Sequence, residues 1–196
     1  MGSHINLFAD ETSLQIIVDH PVSAAGILQS DINKISDWAD KWLVSFNPSK
    51  SETTVISRKT SKPFHPPLLM YNQPIASVTS HKHLGVHLSE DGSWHTHITY
   101  ITEKAWKRIH IMGKLKFQLD RKSLEIIYLS FIRQLLEYAD VIFSNCTQYE
   151  KQELDKIQNE ASRIVSGTTQ LVSFRELHKE VPCESLETWR RNHCTK

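Results

Sequence analysis

The residues best suited to chemistry are two adjacent carboxylates, Asp10 and Glu11, in the run Phe8-Ala9-Asp10-Glu11. Apolar-leaning runs flank them: Ile5 to Phe8 reads as one short strand and Leu14 to Val18 as another. Asp and Ser favour turns through local side-chain hydrogen bonds, so a strand-turn-strand hairpin with the acids at its tip is expected. Two carboxylates on one tight turn repel each other. A hard divalent cation such as Mg²⁺, which prefers carboxylate and phosphate oxygens, offsets that charge. The plainer alternative is that adjacent acids in a hairpin turn simply face water.

Three other sets of residues have chemical potential. Lys50 follows a turn, Phe46-Asn47-Pro48-Ser49, and a lysine there either steadies developing phosphate charge or is an ordinary surface cation. Six histidines, His65, His81, His83, His87, His95 and His97, crowd one region, and His81/His83/His87 and His95/His97 have spacings compatible with zinc. No cysteine lies near them, and same-face strand positions commonly carry unliganded histidines, so no zinc site is expected. Between Lys104 and Lys122 there are seven basic side chains and one acid, Asp120. Closely spaced positive charges repel one another, so a phosphate backbone is a fitting partner; a solvated helix face is the alternative.

The elements that must hold these residues follow from periodicity. A helix is expected over Ala24 to Trp42, with Ser23 as N-cap and Leu28, Ile32, Ile35, Ala39 and Trp42 on one face. Trp38 and Trp42 are expected to anchor the core. Short strands are expected at Glu52–Ser57, Leu68–Tyr71, Ile75–Thr79 and His83–Leu88, with a basic, proline-bearing loop at Arg58–Pro67. Gly85 within the last strand allows close backbone approach or marks a bulge.

From Trp94 the period changes to helical. One stripe is Ile98, Ile101, Ala105, Ile109 or Met112, and Leu115, with Lys104, Lys107, Arg108 and Lys114 opposite. A second helix starts behind Asp120 as N-cap, with Leu124, Ile127, Tyr128, Phe131 and Leu135 as its stripe. A third runs from about Glu150 to Ser166, opened by a Thr147/Glu150 capping box and closed by Gly167. Three amphipathic helices with short connections form a bundle, because none buries its stripe alone. Shorter helices are expected at Phe174–Lys179 and Glu184–Arg191.

Composition narrows the classes. Of 196 residues, 39% are hydrophobic and 23% charged, which excludes disordered and collagen-like chains. No apolar run approaches the roughly 20 residues of a membrane span, and the first residues lack the basic and apolar regions of a signal peptide. Cys146, Cys183 and Cys194 are too few and scattered for a disulfide framework, which fits a reducing, intracellular setting in cytoplasm or nucleus. The net charge of +1 is unevenly spread: residues 1–100 carry 7 Lys/Arg against 9 Asp/Glu, and residues 101–196 carry 16 against 13.

Taken in order, these segments resemble the reverse transcriptase (RNA-directed DNA polymerase) of non-LTR retrotransposons. In that family a Phe/Tyr-Ala-Asp-Asp hairpin carries metal-binding carboxylates of the polymerase palm. Asp10 matches the first Asp, and Glu11 stands where the second normally does. The similarity continues through Trp38 to Lys50 and resumes at His81-Lys82-His83-Leu84-Gly85-Val86, where the family places its primer-gripping hairpin. It goes on through Arg133 to Tyr138 and Gln158 to Gly167. The resemblance implies an α+β fold: a partial palm of antiparallel hairpins with a packing helix over residues 1–92, then an all-helical, thumb-like bundle over 93–170. A truncated tail over 171–196 completes it.

The roles implied are Asp10, Glu11 and Lys50 at the catalytic centre, with Asp10 and Glu11 as ligands for Mg²⁺ or Mn²⁺ once the palm is complete. His83, Leu84, Gly85 and Val86 would steady the primer, and Lys104, Lys107, Arg108 and Lys114 would meet the backbone of an RNA/DNA primer-template duplex. Deoxynucleotides would be substrates of the complete enzyme, which joins a primer hydroxyl to a nucleotide's α-phosphate. Two departures bear on activity. Glu11 adds a methylene where placement to about an ångström matters, and only four residues precede the first strand, so the upstream carboxylate and fingers are missing from this chain. The expectation is a fragment that does not polymerise by itself; the alternative is a non-catalytic, nucleic-acid-binding remnant of a mobile element.

Overall fold

The computed structural model describes residues 2–60, 64–168 and 185–194. The chain divides into two units, one of Met1–His83 with Ser89–Gly92 and one of Leu84–Leu88 with the residues from Ser93 onward. The architecture is mixed α+β, with small β-hairpins in the first part of the chain and helices in the second, as the resemblance implies.

In the first unit, β1 (His4–Phe8) pairs antiparallel with β2 (Glu11–Gln15), in the register Phe8↔Glu11 and Ile5↔Leu14. The loop is only Ala9-Asp10, and Ala9 takes a φ of +50°, the positive φ that a two-residue hairpin loop demands at its first position. The second strand was expected at Leu14–Val18. It begins three residues earlier because so tight a loop forces pairing to start at Glu11.

Helix α1 (Pro21–Lys41) opens with proline at its first turn, where the missing N–H is no loss. His20 occupies the cap position, so Ser23, the expected N-cap, lies inside the helix. Ala25 and Ile32 join Leu68 and Ile75 in a small apolar cluster, with Leu14, Leu28 and Met70 packed on it. Trp38 and Trp42 are not core anchors: they are 54% and 62% exposed. Trp38 projects from the side of the buried stripe, and the helix ends at Lys41, so Trp42 leaves the helical path with a φ of −98°.

The remaining strands of this unit are shorter than expected. They are β3 (Glu52–Thr53), β4 (Leu69–Met70), β5 (Gln73–Pro74) and β6 (Ala76–Ser77). β3 pairs parallel with β6, and β4 antiparallel with β5. Helix and sheet are tied by one side chain. Gln29 accepts from the Leu69 N–H and donates to the Leu69 carbonyl, both at 2.8 Å, and so imitates a strand edge.

The expected single strand His83–Leu88 is instead a turn between β7 (Ser80–His83) and β8 (Val86–Ser89), which form a fourth two-stranded sheet. Leu84 and Gly85 supply the loop with φ values of +46° and +84°, the two successive positive φ angles of a tight hairpin turn.

The second unit is helical: α2 (His95–Leu115), α3 (Arg121–Ile127), α4 (Gln134–Glu137), α5 (Gln148–Ser166) and α6 (Leu186–Cys194). Its core joins Ile98, Ile101, Ala105, Ile109 and Met112 of α2 with Leu154, Ile157, Ala161 and Ile164 of α5. Asp120 caps α3 by accepting from the Ser123 N–H. Thr147 and Glu150 form the expected capping box, and Gly167 closes α5 with a φ of +69°.

Between α3 and α4, residues Tyr128–Arg133 form a π-helical segment. Its wider turn moves the buried stripe to Leu124, Tyr128, Ile132 and Leu136, and leaves Phe131, an expected core residue, largely exposed. The expected helix Phe174–Lys179 lies outside the described residues; the one expected at Glu184–Arg191 is observed as α6. No helix among the described residues is long and apolar enough to cross a membrane.

Candidate nucleic-acid interface and hairpin carboxylates

Asp10 sits in the two-residue loop, exposed, its carboxylate without a partner among the described residues. Glu11, by contrast, is the first residue of β2, and its Oε2 lies 3.5 Å from Nδ1 of His83. A second pair of the same kind joins His81 Nδ1 to Glu52 Oε2 at 2.7 Å, and the two imidazoles lie 6.2 Å apart. The Glu11 carboxylate is thus half exposed, with one imidazole beside it. Among the described residues no group of three or more His, Cys, Asp or Glu side chains converges as a metal would require. The residues present do not by themselves make a cation site, because Mg²⁺ wants several convergent oxygens and the hairpin offers one free carboxylate.

Lys50 ends a short 3₁₀ turn, Pro48–Lys50, which Asn47 fixes by accepting from the Ser49 N–H at 3.0 Å. It is exposed, and no hydrogen bond or ion pair among the described residues links it to Asp10 or Glu11.

The loop residues Leu84 and Gly85 are held by a residue that sequence reasoning missed as a site component. The Tyr138 hydroxyl donates to the Leu84 carbonyl at 2.7 Å. A Cβ at Gly85 would come within 3.3 Å of the Tyr138 ring, so glycine is needed there for close approach as well as for its φ. Val86 is buried. The two partners are 54 residues apart, and no local pattern signals such a contact.

The basic face of α2 is not uniform. Lys104 bonds the Tyr100 hydroxyl and sits 4.3 Å from that ring's centre. Arg108 bonds the Phe131 carbonyl and stacks 4.2 Å from the Phe131 ring. The π-helical bulge that exposes Phe131 thus gives it a guanidinium to cover. Lys107 and Lys114 are exposed and have no such partner among the described residues. Of the four predicted backbone contacts, Arg108 ties α2 to the π-helical segment and Lys104 lies against a ring of its own helix, while Lys107 and Lys114 are the two without a partner among the described residues.

The histidines are spread over several environments rather than gathered. His97 is 1% exposed, tilted against Phe143 at 5.1 Å, and its Nδ1 faces the backbone N–H of His87 at 3.4 Å. Its Nε2 is buried with no hydrogen-bond partner among the described residues. Burial, then the neighbouring His87, lowers its pKa to about 4, because a charged imidazole loses more solvation than a neutral one.

Fold and charge together define an α+β chain whose helical part carries, on an exposed helix face, lysines without a partner among the described residues. Comparison with known proteins gives this class a relationship. The chain is 21% identical over 195 aligned residues, 96% of its length, to the protein named probable RNA-directed DNA polymerase from transposon BS of Drosophila melanogaster. It is 23% identical over 184 residues, 91% of its length, to the probable RNA-directed DNA polymerase from transposon X-element of the same organism. It is thus a distant homologue of retrotransposon RNA-directed DNA polymerases, and it spans about one fifth of the length of these curated relatives, 21% and 20%. No family profile and no solved structure matches it.

Proposed function

We propose that this chain is the last part of the palm and the thumb of a non-LTR retrotransposon reverse transcriptase, and that it binds an RNA/DNA primer-template duplex. The observation that carries the reading is the collinear similarity to two transposon polymerases over more than nine tenths of the chain. Lys107 and Lys114 supply the physical means: two ammonium groups without a partner among the described residues, two turns apart on an exposed helix face, reach phosphates of one backbone. In the same reading Leu84 to Val86, with their backbone fixed by Tyr138, steady the primer, and Lys50 lies near nucleotide phosphates. His83 shares that hairpin.

Primer extension by these 196 residues alone is not part of the proposal. The hairpin presents Asp10 as one free carboxylate while Glu11 pairs with His83, and the described residues hold no further cation-binding set. That same pairing favours the second reading, a non-catalytic nucleic-acid-binding protein derived from such a polymerase.

Replacing Lys107 and Lys114 by alanine tests the binding. Each phosphate contact contributes about 0.9 to the slope of log affinity against log salt, so the double variant should bind duplex more weakly with a slope shallower by about two. Unchanged affinity and slope would overturn the assignment.

A further inference from the structure

We propose that the turn following α2 is a base-stacking site for single-stranded nucleic acid, with Phe117 as the stacking platform and Lys116 and Lys122 as its phosphate contacts. The inference rests on the nucleic-acid reading above but assigns a different ligand form to a different place.

Phe117 is 86% exposed. A lone exposed aromatic needs no explanation by itself, but this one is surrounded by charge of one sign. The Lys116 ammonium lies 4.8 Å from the centre of its ring, and Lys114, Arg121 and Lys122 stand within five residues of it, all exposed. The one acid of the stretch, Asp120, is turned to capping duty on the Ser123 N–H at 3.3 Å. The Ser123 hydroxyl, then its backbone N–H, lower the Asp120 pKa, so the carboxylate stays ionised but directed at the start of α3.

The backbone that carries the platform is also held in place. The backbone N–H groups of Gln118 and Leu119 both donate to the Leu115 carbonyl, at 2.9 and 3.1 Å, which ties the turn to the end of α2 ahead of the Asp120 cap of α3. A turn whose backbone is already in place costs less to engage than one that must be ordered on binding.

Charge complementarity selects the occupant. A base stacks on the π-face of an aromatic whatever its sequence, while neighbouring cations follow the phosphates, and single-stranded binders combine the two. Stacked bases inside a continuous duplex offer no free face, so the site selects single strands, overhangs and frayed ends. Lysines at the end of α2 also suit the negative end of the helix dipole, but that accounts for the cations and not for the ring. A lipid surface would need a broader apolar face than one ring provides.

The test uses the full chain and three probes. These are a short single-stranded RNA carrying 2-aminopurine, a blunt RNA/DNA duplex, and phosphatidylcholine vesicles containing phosphatidylserine. The variants are Phe117→Leu, which keeps apolar bulk without the π-face, and Lys116→Gln with Lys122→Gln, each checked by circular dichroism. Binding of the single strand should quench 2-aminopurine. Phe117→Leu should abolish the quench and weaken that binding about five-fold or more, with blunt-duplex affinity unchanged. The paired lysine variant should flatten the single-strand salt slope. Equal single-strand binding by Phe117→Leu and the parent chain would overturn the stacking site, and the duplex reading would still stand on its own lysines. Failure of the parent chain to bind either nucleic acid would overturn both. Phe117-dependent vesicle binding without single-strand binding would overturn the site in favour of a membrane surface.

Discussion

Acidification from about pH 7.5 to about pH 4.5 should destabilise the helical unit through one side chain. His97, in the first turn of α2, is buried against Phe143 and His87, and His87 in turn lies on the Tyr100 ring. Its pKa is lowered from 6.5 to about 4, first by burial and then by His87. In the unfolded chain it titrates near 6.5, so below that pH the unfolded state binds a proton that the folded state refuses. The stability due to neutral His97 is therefore complete above about pH 6.5 and is lost as the pH falls toward 4. At about 1.4 kcal/mol for each tenfold change in proton affinity, the full loss is about 3 kcal/mol. Urea unfolding followed by far-UV circular dichroism, on the parent chain and on His97→Asn, isolates this group from other titrations. Asparagine keeps an acceptor for the His87 N–H and has no charge to gain. The variant should be less stable than the parent near pH 7.5, and the gap should shrink or reverse near pH 4.5. A gap that stays constant over that range would refute the assignment of acid sensitivity to His97.

Three smaller perturbations follow from the same geometry. Thr147→Ala removes half of the capping box on α5 and should cost about 1 kcal/mol in urea unfolding. Gly85→Ala meets both a φ of +84° and the Tyr138 ring; it should destabilise by about 1 kcal/mol, and Tyr138→Phe should lower the hydrogen-exchange protection of the hairpin loop. Asp31 accepts from the Gly2 and Ser3 N–H groups, the Ser3 hydroxyl and Lys34. The Lys34 contact, then those from Ser3, hold its carboxyl far below the usual range. Protection of the Ser3 amide should thus be present above about pH 4, fall away as the carboxyl is protonated below it, and be absent at every pH in Asp31→Asn.

How much was legible in the sequence depends on whether the signal was local. The helical stripes of α2 and α5, the Asp120 cap and the Thr147/Glu150 box are local patterns, and the structure contains each of them. The π-helical segment at Tyr128–Arg133 is not written in any residue type. A stripe read at 3.6 residues per turn therefore reaches Phe131, which is about half exposed, and passes over the buried Ile132 and Leu136, while Leu135 packs partly buried against the core as expected. Trp38 and Trp42 misled because size and apolarity were taken for burial, although the helix end and the direction of projection decide it. Leu84-Gly85 was read as strand interior, where a glycine flanked by apolar residues equally signals a two-residue loop. At the candidate site, the positions of Asp10 and of the basic helix were readable from the motif and the charge run. The Glu11–His83 pairing, the Tyr138 clamp and the internal commitments of Lys104 and Arg108 join residues distant in sequence or depend on side-chain reach, and only the folded chain brings them together.

The most direct measurement is a titration of the chain onto a labelled RNA/DNA primer-template at two salt concentrations. Mg²⁺ and deoxynucleotides are present, and the primer length is read afterwards. The account predicts binding that weakens steeply with salt and a primer that stays at its starting length. Salt-insensitive or absent binding would contradict the nucleic-acid assignment. Extension that disappears in Asp10→Ala would contradict the reading of the hairpin as one free carboxylate short of a working centre.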